Sequence, residues 1–268
     1  MPIDPDIVKK AVLSNFNGSS DLTESFEDRY GLFRELTFKL ADECGVEGGM
    51  NVWDVGCGTG ISSFALAERV GKEGQIVGID FSPGMLDIAV MRRRGWDNLG
   101  FVLQDADLLD MVPGPRPDAV LYNASIFLMP SPGTTLISAY DILPENGIIG
   151  MNHLIGTTDE SGDVDICLTA KNEGLDCAPY GRSIIDPDRL PDMLEGSGFK
   201  NVRTEMEEIP MPRDEVHAFY SIPAQSAGLW PKTKYEERVL LLDALLDHFE
   251  ERSGGRYVQR WGWCVAVK

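Results

Sequence analysis

The sequence predicts an α/β protein on a doubly wound, mostly parallel sheet, and three observations carry that reading. From residue 50 to about 154, short β-rich runs alternate with helical ones. Such alternation requires parallel strands joined by crossover helices on both faces. Gly56, Gly58 and Gly60 cluster where the first strand turns into the first helix, the edge at which such sheets receive ligands. With 43% hydrophobic residues among 268, the chain can bury one large core or two small ones, which excludes disordered and fibrous classes.

Taken in order, residues 24–44 place Phe26, Tyr30, Phe33, Leu36 and Leu40 near a 3.6-residue period after a polar start, FNGSSDLTES. This predicts one amphipathic helix, stopped by Gly45 and the Gly48-Gly49 pair. Strands are expected at 50–55, 75–80, 99–104, 119–123 and 147–152, with helices at 61–70, 83–94 and 134–142. Residues 155–183 are polar and turn-rich. A connection that long is functional or disordered, and it reads as a lid. The αβ pattern resumes with a helix opening at Asp186-Pro187-Asp188 and ending at Gly196 and Gly198, then a strand at 199–209. A second insertion, 210–255, carries a helix from 235 to about 252 with Val239, Leu242, Leu246 and Phe249 on one stripe. Residues 260–267, RWGWCVAV, read as the final strand.

Charge narrows the partners. There are 43 acidic against 24 basic residues, a formal net charge of -19. That field repels polyanions, so DNA, RNA and anionic membranes are not expected partners. The start, MPIDPDIVKKAVL, lacks the pattern of a secretory signal, and no apolar run approaches ~18 residues. Five cysteines, Cys44, Cys57, Cys167, Cys177 and Cys264, are scattered without CxxC spacing. This argues against a disulfide framework or structural zinc, and a cytoplasmic location is expected. His153, His217 and His248 lie far apart in sequence, so no metal site is expected.

The stretch NVWDVGCGTGISSFALAERV holds the most specific chemistry. Glycines there let the backbone bend sharply and leave no side chain between main chain and ligand. Alone, such a turn leaves a nucleotide and simple tight packing both open. A dinucleotide fingerprint G-x-G-x-x-G would place its third glycine at Ile61, and no Walker sequence is present. Asp80 ends the second strand, 24 residues after Gly56, where an acid accepts from ribose hydroxyls. Asp105 follows the third strand and can accept from an exocyclic amine such as that of adenine. Either acid can also serve as a helix cap, but three strand tips pointing to one ligand class are harder to assign to capping.

Together these segments resemble the class I S-adenosylmethionine-dependent methyltransferases. DVGCGTG, GIDFSPGMLDIA, FVLQDADLL, PDAVLYNASIFLM, ILPENGIIGM and GSGFKNVRTEM follow the family's motif order over most of residues 24–209, and the last strand matches as well. The resemblance implies a seven-stranded Rossmann-like sheet and S-adenosylmethionine as cofactor. It also implies that Gly56, Cys57 and Gly58 line the methionine part, Asp54 supports that loop, and Asp80 holds the ribose. Phe81 and Met85 would pack on the adenine, Asp105 and Ala106 would read its edge, and Asn123 with Ala124 would close the site. Tyr30 would cover the methionine carboxylate. One departure is Pro144-Glu145-Asn146-Gly147, where the usual Gly-Gly pair is reduced to one glycine.

On that resemblance, one domain spans 1–268: a helical cap (1–49), a cofactor-binding half (50–154), a first lid (155–183), a core helix and strand (184–209), a second lid (210–255) and a final strand (256–268). A sulfonium methyl is already activated, so the protein mainly aligns the reactants and excludes water. A general base is needed only if the attacking atom carries a proton. His153 is the first candidate base, followed by His217 and Tyr220. Tyr220, Trp230 and Tyr235 would form an aromatic wall for an acceptor, and Cys167 with Cys177 would suit a soft one. The expected reaction is methyl transfer to a small molecule, with release of S-adenosylhomocysteine. A non-catalytic S-adenosylmethionine-binding protein, a protein methyltransferase and an NAD-dependent oxidoreductase are the competing classes. Monomer and homodimer are left undecided.

Overall fold

The computed structural model describes residues 5–172, 187–230 and 232–268. Its sheet contains β1 (Asn51–Val55), β2 (Gln75–Asp80), β3 (Leu99–Leu103), β4 (Ala119–Tyr122), β5 (Ile148–Thr158), β6 (Lys200–Met211) and β7 (Tyr257–Val267). The order is β3-β2-β1-β4-β5-β7-β6. Strands β1 to β5 are parallel, and β7 runs antiparallel between β5 and β6. The chain winds outward from β1 on one side and from β4 on the other, so the crevice for a ligand lies at their C-terminal ends. The α/β, doubly wound, seven-stranded class expected from the sequence is therefore the observed one.

Alternation along the strands feeds two cores. Val52 belongs to one and Trp53 to the other, as a sheet covered on both faces requires. The first core packs under α3 (Leu32–Glu43), α4 (Ile61–Val70), α9 (Arg213–Ser221) and α11 (Tyr235–Ser253), with Leu36, Leu66, Phe219 and Leu246 buried there. The second lies under α6 (Pro132–Ile142) and α8 (Leu190–Gly196), through Leu136 and Leu194. Helix α5 (Pro83–Arg92) packs on β2 and β3. Its N-cap is Ser82, whose side chain accepts from the Met85 N–H, and Pro83 occupies the first turn.

The expected single helix over 24–44 is two helices. Gly31, at φ 70°, separates α2 (Ser20–Tyr30) from α3. The Glu27 carboxylate accepts the Phe33 and Arg34 N–H groups, each at 2.9 Å, and so satisfies the start of α3. Apolar spacing continues across the break, which hides it in the sequence. A further helix, α1 (Pro5–Asn17), leads into the polar stretch.

Strand β5 extends six residues beyond the expected end at 152, because β7 pairs with it as far as Thr158↔Val258, past an irregularity between Leu154 and Gly156. After it, α7 (Ile166–Asn172) packs on α11 and β5. Residues 173–183 of the predicted lid, Cys177 among them, lie outside the described residues. Cys167 is disulfide-bonded, which corrects the reading of free thiols at that position, whereas Cys44, Cys57 and Cys264 are free and buried. The second insertion folds into α9, α10 (Pro223–Leu229) and α11. At the turn before β5, Asn146 adopts φ 66°. Asparagine tolerates that left-handed conformation, so one glycine suffices there. Among the described residues no helix is long and apolar enough to cross a membrane, and no group of three or more potential ligands is placed to hold a metal ion.

Candidate functional site

Each glycine of the turn after β1 has a separate reason to be there. Gly56, Gly58 and Gly60 all have positive φ, 76°, 54° and 90°, which side chains disfavour. A Cβ on Gly56 would come 2.5 Å from Ser125 Cβ, at the tip of β4. A Cβ on Gly60 would come 2.9 Å from the Phe101 ring. Gly58 is different: nothing lies within 4 Å of its would-be Cβ, so its backbone faces open space.

Asp80 ties this turn to β2. Its Oδ2 accepts the Gly58 N–H at 2.9 Å and its Oδ1 accepts the Ser82 N–H at 2.8 Å. Burial pushes its pKa up, opposed by those N–H bonds. Asp54 lies deeper and is fully buried. Its Oδ2 accepts the Ser63 hydroxyl at 2.6 Å, while Oδ1 has no partner among the described residues. Burial, reinforced by the Asp80 charge, raises its pKa to about 7 despite the Ser63 bond.

A shallow pocket opens beside the turn. Gly56, Asp80, Phe81, Asp105 and Ala106 line it, as the motifs suggested, and so do Met129, Pro130 and Lys9. The last three were not singled out by sequence reasoning, because Lys9 belongs to no motif, Met129 only closes one and Pro130 follows it. The other named residues support this wall from behind or stand apart from it. Met85 is buried under α5. Cys57 is buried, and its backbone N–H donates to Ile79 O at 3.1 Å.

Asn123 joins four elements. Its Nδ2 donates to Phe33 O at 3.1 Å and to Thr37 Oγ1 and Ser62 Oγ at 2.9 Å, while its Oδ1 accepts from Asn152 Nδ2 at 2.6 Å. Ala124, at φ 52°, donates its N–H to Asn152 Oδ1 at 2.6 Å, a held left-handed backbone of the kind that clusters at ligand sites. Tyr30 is placed against α9, its hydroxyl donating to Asp214 Oδ2 at 3.1 Å.

None of the three candidate bases lines this pocket. His153 faces the second core's side of the sheet and borders a separate, open cavity with Asp188 and Trp263. Its Nδ1 is buried without a partner among the described residues, and burial lowers its pKa to about 4 against the pull of Asp188. His217 pairs with Asp243 of α11 at 3.4 Å. Tyr220 is buried, with its hydroxyl 2.8 Å from Thr157 Oγ1. Trp230 is buried, and Tyr235 donates to Ser221 O at 2.8 Å. These aromatic groups pack the helices together.

Comparison with known proteins agrees with this geometry. A methyltransferase domain model matches residues 46–175. The chain is 34% identical over 145 residues to aklanonic acid methyltransferase DauC from Streptomyces sp. (strain C5), covering 53% of this chain and 64% of that one, just under two thirds. It is 31% identical over 173 residues to demethylmenaquinone methyltransferase from Lactobacillus johnsonii, covering 59% of this chain and 70% of the relative. Among solved structures, the [4+2]-cyclase SpnF matches at a TM-score of 0.55 and 22% identity, over 88% of this chain and 80% of that one. The YcgJ protein from Bacillus subtilis matches at 0.59 and 12%, over 87% and 98%. Those two likenesses speak to fold, and a fold hosts more than one chemistry. Sheet order, glycine turn and the similarity to named methyltransferases together show that this chain belongs to the class I S-adenosylmethionine-dependent methyltransferases, a family of enzymes.

Proposed function

We propose that this protein transfers a methyl group from S-adenosylmethionine to a small-molecule acceptor and releases S-adenosylhomocysteine. The observation that carries this reading is the Asp80–Gly58 bond, which joins a carboxylate at the tip of β2 to a glycine whose backbone faces open space. An adenosyl group fits the residues present. Asp80 and Asp105 offer acceptors for ribose hydroxyls and an amine, Phe81 and Ala106 offer apolar surface, and Gly56 and Gly58 keep the main chain bare. The cofactor supplies an electrophilic methyl on a sulfonium. The chain's own contribution is to bind, orient and exclude water.

A small acceptor is supported by the net charge of -19, which repels nucleic acid, and by relatives named for aklanonic acid and demethylmenaquinone. His153, His217 and Tyr220 do not line the pocket at the glycine turn, and none of them is assigned as a base. Free buried cysteines at 44, 57 and 264 support a cytoplasmic setting, and the disulfide at Cys167 stands against it.

Thermal unfolding with S-adenosylmethionine, S-adenosylhomocysteine and NAD in parallel tests the cofactor. A ligand at ~100 times its Kd adds ~2.7 kcal/mol. Stabilisation by the first two and not by NAD is expected; stabilisation by NAD alone, or by none, overturns the reading. Turnover is then read as S-adenosylhomocysteine release over a panel of small acceptors.

A further inference from the structure

The pocket at the glycine turn is closed on one side by a cation from outside the sheet. Lys9, on α1, lines it and places Nζ 2.5 Å from Asp105 Oδ2 and 3.6 Å from Asp107 Oδ2. The other Asp105 oxygen, Oδ1, already accepts the Asp107 N–H at 3.1 Å. Oδ1 is thus committed to its own turn, and Lys9 holds Oδ2.

Helix α1 brings Lys9 to the pocket while packing on α5 and on α10 of the helical cover. Just beyond it, Ser19 Oγ accepts the Ala224 N–H at the start of α10, at 3.0 Å. The Lys9 and Asp105 side chains are 28% and 31% exposed. An ion pair at so wet a rim is weak and salt-sensitive, which suits a contact made to be broken.

Resting on the cofactor reading above, we propose that Lys9 competes with the exocyclic amine of the adenine for Asp105 Oδ2, so that α1 is a strap the cofactor must displace. The exchange leaves the carboxylate partnered throughout, with an amine N–H replacing an ammonium N–H. Lys9 lines the pocket beside Asp105, so its withdrawal would open that side. A Lys9 that instead fixed Asp105 in place for the cofactor would give effects of opposite sign.

The test is calorimetric titration with S-adenosylhomocysteine, whose charges sum to zero, at low and high salt. Lys9→Met is expected to bind it about fivefold tighter at low salt, the upper size of an exposed ion pair. Wild-type affinity should rise with salt as the pair is screened, and that of Lys9→Met should not. Lys9→Arg should behave as wild type, and Asp107→Asn should shift affinity in the same direction as Lys9→Met by less. Equal or weaker binding by Lys9→Met overturns the strap while leaving the cofactor reading intact. Absence of binding by the wild type overturns both. Should Lys9→Met fail to fold, the salt series and Asp107→Asn decide alone.

Discussion

Ser63 donates its hydroxyl to Asp54 Oδ2 at 2.6 Å in the protein interior, and among the described residues the other carboxylate oxygen, Oδ1, has no partner. One hydrogen bond does not hold a buried negative charge. The consequence is a carboxyl that keeps its proton far above the ordinary range, to about pH 7 against a usual 3.8.

A pH dependence follows. Between pH 3.8 and about 7 the folded chain holds a proton on Asp54 that the unfolded chain has lost. Stability must therefore fall as pH rises through that window and level off above it. Asp54→Asn should lack this contribution and gain on the wild type by roughly 2–4 kcal/mol across the window. Chemical denaturation of both proteins over that range measures it, and parallel curves would refute the assignment.

Asp80→Ala removes the anchor of the Gly58 N–H together with the carboxylate proposed to accept from the ribose. We expect cofactor affinity to drop by ~1–3 kcal/mol. Calorimetry with S-adenosylhomocysteine reads this directly, and unchanged affinity would remove Asp80 from the site.

Gly150 of β5 faces Cys44 so closely that a Cβ would come 2.1 Å from its Sγ. Gly150→Ala should therefore destabilise by about 1–3 kcal/mol through overpacking. In a Cys44→Ala background the same change should cost much less, because the nearest remaining atoms, of Leu40 and Leu121, lie at 3.2 Å. A double-mutant cycle showing simple additivity would contradict this contact.

His153 should titrate near pH 4, well below its usual 6.5. Here the unfolded chain takes up the proton first, so stability is full above pH 6.5 and is lost as pH falls toward 4. His153→Gln should lose that acid sensitivity. Ring-proton NMR gives the midpoint, and a value near 6.5 would show that the ring is not shielded from water.

The glycine turn was legible in the sequence because positive φ leaves a chemical trace, and Asp80 and Asp105 because strand ends bring acids to one edge. Lys9 left no trace: a single lysine on a helix acquires meaning only once α1 is seen to bring it to Asp105. The break at Gly31 was masked by apolar spacing that continues on both sides. His153 lies midway along the lengthened β5, paired with Gly262, and strand alternation turns it to the face shared with Met151. Asn123 gathers partners from α3, α4 and β5, a convergence that no local pattern announces. The extra length of β5 was set by β7, more than a hundred residues away in sequence.

That last strand governs the order of assembly. Strand β6 pairs only with β7 among the described residues, and β7 also seals the outer side of β5. During synthesis the first five strands can associate as they emerge, but β6 has no seat until residues 257–267 are made. The glycine turn and its neighbouring acids are thus available to form early, whereas the far half of the sheet waits for the ribosome to deliver β7. Removing β7 should strand β6 as an unpaired edge, exposing to aggregation a chain whose cofactor-side strands are already in place.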